Sequence, residues 1–130
     1  MKYVILIHSN PQPWGHPTGA FMPEALARPQ EERDAGGAAF DAMLEELSKS
    51  GELKGGEALG APASARIYRW SESGTVSTDG PYAESKEQLA GFFMIDCETR
   101  ERAEEIAAHF AQPGGTVELR PAMWGDGDDG

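Results

Sequence analysis

The run YVILIH, residues 3–8, is apolar up to its closing histidine and carries three β-branched side chains, Val4, Ile5 and Ile7. That is the pattern of a strand covered on both faces, so it is expected to be the first and central strand of a sheet. A second run, FFMIDC at residues 92–97, places Phe93, Ile95 and Cys97 on one side and Phe92, Met94 and Asp96 on the other. It is expected inside the same sheet. Between and after these runs the period changes from two to 3.6. Phe40, Met43, Leu44 and Leu47 fall at i, i+3, i+4, i+7 within residues 37–50, and Ala103, Ile106, Ala107 and Phe110 repeat that spacing later. Gly51 stands where a helix C-cap needs positive φ, Thr99 can cap the second helix, and Pro113-Gly114-Gly115 stops it.

The segments around these four elements complete the order. ASARIYRW at residues 63–70 and TVSTD at 75–79 read as a hairpin across Ser73-Gly74, and a short last strand is expected at residues 116–120. Strand, helix, hairpin strands, strand, helix, strand is close to the split βαβ, ferredoxin-like sandwich. Its class is α+β: an antiparallel sheet with two helices on one face. Residues 9–34, with five prolines, are expected to be one long irregular loop, and loops of that length tend to be functional lids or else disordered, so this segment is the first place to look for a site cover. Gly55, Gly56 and Gly60 mark a turn-rich connector. With helices on one face only, the apolar side chains on the other face of FFMIDC call for a partner, and a homodimer is expected.

The chain has 130 residues, which fits a single domain, expected over residues 1–124, with GDGDDG at 125–130 as a disordered acidic tail. Eleven basic against 22 acidic residues give a net charge of -11. Both halves are acidic, so no basic patch is concealed; phosphate backbones would be repelled at long range, and direct nucleic acid binding is not expected. No stretch is apolar enough to span a membrane. The single Cys97 leaves no disulfide framework or CxxC pair, and a cytoplasmic location is expected. His8, His16 and His109 form neither HxH nor HExxH, and no Walker or GxGxxG pattern is present. Neither a metal nor a cofactor is therefore expected. His109, near a helix C-terminus, reads as structural, and Cys97 as a small buried hydrophobe.

The stretch VSTDGPYAESKEQLAGFF, residues 76–93, contains a turn at Asp79-Gly80-Pro81 and a polar segment, Ser85 to Gln88, able to make one helical turn. Asp79-Gly80-Pro81-Tyr82, the following Ala83 to Leu89 and Gly91-Phe92-Phe93 resemble the YCII-related proteins. Within them they resemble the branch named for Asp-Gly-Pro-Phe, with Tyr82 in place of the Phe. YVILIH, LEELSKSGELKGGEAL and VELRPAM extend the resemblance over most of the chain. It implies a ferredoxin-like fold paired into a dimeric α/β barrel with a small cavity, and relatives fused or adjacent to sigma factors. In the YCII branch a His at the start of the first helix and an Asp near its end are the suspected acid/base pair. Here residues 35–39 are all Gly or Ala and Lys49 stands about where the acid would be, so that pair is absent.

Other residues offer the same chemistry. His8 ends the first strand, His16 lies in the proline-rich loop, and Asp79 sits at the signature turn. An imidazole beside a carboxylate transfers protons near neutral pH, so these three are the catalytic candidates. Each also has a plain structural role open to it, as a strand-end or loop hydrogen-bonding group. Arg66, Tyr68 and Trp70 share one strand face and, with Trp14, are the ligand-binding candidates: a guanidinium for an anion and aromatic walls around it. Arg66, Arg69 and Arg120 can equally pair with internal carboxylates such as Asp79, Asp96 or Glu118. The expected function is cofactor-independent acid/base chemistry on a small molecule (elimination, isomerisation or cyclisation) in a dimer cavity. The alternative is a non-catalytic ligand-sensing or interaction module associated with sigma-factor regulation.

Overall fold

The structure is a computed structural model that describes residues 1–83 and 86–123. Strand β1 (Lys2–Ser9) is followed by a 3-10 turn (Thr18–Phe21), a short helix α1 (Pro23–Leu26) and the long helix α2 (Gln30–Ser50). Then come β2 (Leu53–Ala58), β3 (Arg66–Ser71), β4 (Gly74–Asp79), β5 (Gln88–Asp96), α3 (Arg100–Phe110) and β6 (Thr116–Pro121). Four strands form an antiparallel sheet in the order β2-β5-β1-β6, the ferredoxin-like arrangement, and β3 with β4 forms a separate two-stranded sheet. No helix among the described residues is long and apolar enough to cross a membrane.

The alternation read in the two apolar runs sets the layers. Tyr3, Ile5 and Ile95 are buried beneath Leu47 of α2 and Ala103, Ile106, Ala107 and Phe110 of α3, with Ile7, Phe93, Val117 and Leu119 packed against them. Both long helices therefore lie on one face. Val4 opposite Met94 and Leu6 opposite Phe92 occupy the other face, where Met94 and Leu89 remain exposed. The capping residues act as their sequence positions require. Gly51 closes α2 at φ 82°, and the Thr99 hydroxyl accepts from the Arg102 N–H at 3.0 Å at the start of α3.

Four local expectations are corrected. The segment at residues 9–34 is not one loop: α2 begins at Gln30, ten residues before Phe40, the first apolar residue of the repeat. Its extra turns are polar and mostly exposed, held by Gln30–Asp34 and Arg28–Glu32 contacts, so hydrophobic periodicity carries no trace of them. The glycine connector is in part a strand, β2, which supplies the edge of the main sheet. Gly56 allows this close pairing, since a Cβ there would come within 2.5 Å of the Phe92 carbonyl oxygen. The hairpin forms as expected but stands outside the main sheet. Lys86 and Glu87 are bends and Gln88 already belongs to β5, so no helical turn forms over these residues. Ser85 and the proposed tail at 125–130 lie outside the described residues.

Candidate functional site

The proline-rich segment does not hang free. Gly19 and Thr18 are buried, with Gly19 so close to Gln112 that a Cβ would meet its side chain at 2.6 Å. Met22 and Ala25 are also buried. Docked in this way, residues 16–19 wall a cavity of about 410 Å³ on the helix side of the sheet. Its apolar lining is Ile7 from β1, Phe93 from β5, Phe40 from α2 and Phe110 from α3. The three phenylalanines form one cluster: Phe40 meets Phe110 edge-on at 5.7 Å between centroids, and Phe93 lies 4.6 Å from Phe110.

Strand irregularity helps shape this space. The register between β1 and β5 shifts after Ile7, which faces Gly91, so that His8 faces Leu89 and Ala90 is the extra residue. Ala90 and Gly91 both line the cavity, a position where bulges commonly re-aim the chain. The Leu59 N–H donates to the Ala90 carbonyl oxygen at 2.9 Å, which continues the ladder past β2 and fixes the Leu59 carbonyl.

That carbonyl anchors the loop. Trp14 Nε1 donates to it at 2.9 Å and His16 Nε2 approaches it at 2.7 Å, with the two rings edge-on at 5.9 Å. A carbonyl oxygen only accepts, so Nε2 of His16 carries the proton and Nδ1 is the acceptor of the neutral ring. His16 thus sits at the cavity mouth, exposed but oriented. Glu57 also borders the cavity, but it lies opposite Phe92 and shares the open face by strand parity. Among the described residues lining it, His16 is the titratable side chain left to serve this space.

The other candidates have different surroundings. His8 lies on the open face and its Nε2 is 3.1 Å from Glu118 Oε1, across the β1–β6 pairing. Asp79 Oδ1 accepts from Arg66 Nη1 at 2.6 Å, and Ser77 Oγ accepts from Arg66 Nη2 at 3.0 Å. Asp79 is therefore a partner of Arg66, one of the carboxylate pairings open to that arginine. Within one chain His8, His16 and Asp79 do not share the cavity. Arg66, Tyr68 and Trp70 share a face of the hairpin, as parity requires, but Tyr68 and Trp70 are 67% and 80% exposed and line neither cavity described here. Trp14 reaches the site through Leu59. Sequence reading placed Phe40 and Phe110 in the core and passed over Gln112 and Leu59. The only signal was that Phe40 opens the apolar stripe of its helix.

Paired charges that shift acidities lie away from this cavity. Arg102 forks onto Glu52 at 2.8 and 2.9 Å, and this hydrogen-bonded guanidinium holds the Glu52 carboxyl below its ordinary value of 4.5. The N-terminal ammonium, bonded to Asp96 at 3.0 Å, lowers that carboxyl as well. Burial pushes the Cys97 thiol up, away from the thiolate form a nucleophile needs. Among the described residues no three His, Cys, Asp or Glu side chains group as a metal site.

An uncharacterized protein of Rhizobium meliloti (strain 1021), R00369, is 35% identical over 85 residues, covering 63% of this chain and 68% of its own length. The YCII-related domain matches residues 1–123, so the chain belongs to the YCII-related family.

Proposed function

We propose that this protein performs cofactor-independent proton transfer on a small organic molecule, of the elimination, isomerisation or cyclisation type, in the cavity under the proline-rich segment. His16 is the acid/base group. The observation that carries this reading is the bond from His16 Nε2 to the Leu59 carbonyl, which fixes the tautomer and leaves Nδ1 free to act as a base at the mouth of a cavity lined by aromatic rings. In the same reading Asp79-Gly80-Pro81 assigns the chain to the Asp-Gly-Pro-Phe branch of its family. Two copies cover each other's open sheet faces, where Val4, Leu6, Phe92 and Met94 need a partner. Light scattering after size exclusion is expected to give twice the 14.0 kDa chain mass.

The test is to incubate the protein with a defined library of small carbonyl compounds and organic acids, followed by mass spectrometry. A compound consumed by the wild type should be bound but unchanged by His16→Gln. Turnover that survives His16→Gln and is lost in His8→Gln or Asp79→Asn would move the chemistry to the open face or to the hairpin. The second reading, a ligand-sensing module acting on a partner such as a sigma factor, is favoured by one observation: the cavity has a base without a facing acid. A compound that raises the melting temperature and is recovered intact from both proteins supports it.

A further inference from the structure

A second cavity of about 440 Å³ adjoins the first and shares Pro17, Gly19, Phe40 and Gln112 with it. It lies between the docked loop and the polar first turns of α2, where Gly36 and Gly37 have nothing within 4 Å of a Cβ position and so leave the wall open. The charges around it are not equivalent. Arg28 is paired with Glu32 at 3.1 Å, and Asp34 accepts from the Gln30 amide at 2.7 Å. Arg33 donates from Nη2 to Gln30 Oε1 at 2.5 Å, and its Nε is buried without any hydrogen-bond partner.

In a chain with twice as many acids as bases this is unusual. Arg28, Arg66, Arg100, Arg102 and Arg120 each have a carboxylate within ion-pair distance. Arg69 stacks over Tyr82. Among the described residues Arg33 has no carboxylate partner, although it lines a cavity. Nε is shut off from the cavity, so an incoming anion would meet the terminal nitrogens of a guanidinium that lacks a carboxylate partner, and a planar carboxylate fits their end-on fork best. The neighbouring aromatic cavity favours an apolar body.

We propose that the ligand is an amphipathic organic acid whose carboxylate is held by Arg33 and whose apolar part passes Phe40 and Gln112 into the His16 cavity. This rests on the reading of that cavity as the ligand site and adds the chemical class and the orientation of the ligand. The reacting carbon near His16 would then lie away from the carboxylate, at the far end of the molecule.

Octanoate, octan-1-ol and octylammonium, which share a chain and differ in head group, provide the probes. Calorimetric titration of the full chain should show octanoate binding at least about tenfold more tightly than octan-1-ol, the worth of one charge-assisted contact. Arg33→Gln should reduce octanoate to the level of octan-1-ol while leaving octan-1-ol unchanged, and Arg33→Lys, which keeps the charge and loses the fork, should fall between them. Equal binding of octanoate and octan-1-ol, unaffected by Arg33→Gln, overturns the carboxylate subsite and leaves the apolar cavity standing. Failure of all three probes, or octylammonium binding best, overturns the proposal. In the first of these cases a Phe110→Trp variant, which fills the His16 cavity, tells the two readings apart. If a library compound bound by the wild type is still bound by that variant, the cavity itself is not the ligand site.

Discussion

The two antiparallel sheets of this protein are built from sequence of similar strand character and end in opposite environments. In the four-stranded sheet Ile5 and Ile95 are buried beneath two helices, whereas the hairpin leaves Tyr68, Trp70 and Val76 facing outward. ARIYRW is richer in aromatic and β-branched residues than LKGGEA, yet LKGGEA lies in the main sheet. The lesson is that local propensity forms a strand and does not choose its sheet. Burial is distributed by which helices are available to cover a face, and both long helices are committed to one side of β1 and β5.

Truncating one large side chain in each sheet's environment should separate the two most clearly. Phe110→Ala removes a buried ring from the cluster with Phe40 and Phe93, and should cost about 3–5 kcal/mol in urea denaturation. The next effect concerns the seam at which the cavity opens. Gly91→Ala would place a Cβ 2.7 Å from the Glu57 carbonyl oxygen, forcing β2 away from β5 at a cost of about 1–3 kcal/mol, with loss of ligand-induced thermal shift.

A smaller effect is read through pH. Glu52 is held below 4.5 in the folded chain by Arg102, so the unfolded chain takes up this proton first as pH falls. The stabilisation is fully present above that value and is lost as pH drops through the lowered folded pKa. Glu52→Gln should therefore cost about 1–2 kcal/mol near neutrality, and the gap from wild type should close well below pH 4.5. Trp70→Ala should change stability least, within about 0.5 kcal/mol, because the ring is 80% exposed. A loss as large as that of Phe110→Ala, dependent on protein concentration, would mean that the hairpin is covered by a second copy in solution.

Much of the fold is legible because its signals are local. Alternation in YVILIH and FFMIDC sets the faces of β1 and β5, and the 3.6 period identifies both long helices. Thr99 and Gly51 mark where one helix begins and the other ends, since their side-chain oxygen and missing Cβ act within a single turn. The site is less legible. His16 stood out as a loop residue able to meet a ligand, but Leu59, Gln112 and Arg33 had no mark. Each acquires its role from a neighbour more than 40 residues away or from a cavity assembled out of separate segments.

Residue order alone thus determined the class, the two covered strands, the helix boundaries that have caps, and the acidic character of the chain. Tertiary structure decided which segment became the sheet's fourth strand, where the hairpin went, and which histidine met the aromatic space. The physical reason is one of range. Dihedral preference and side-chain periodicity act over a few residues. Choosing an edge strand or enclosing a cavity depends on shape complementarity between segments that meet only once the chain has folded.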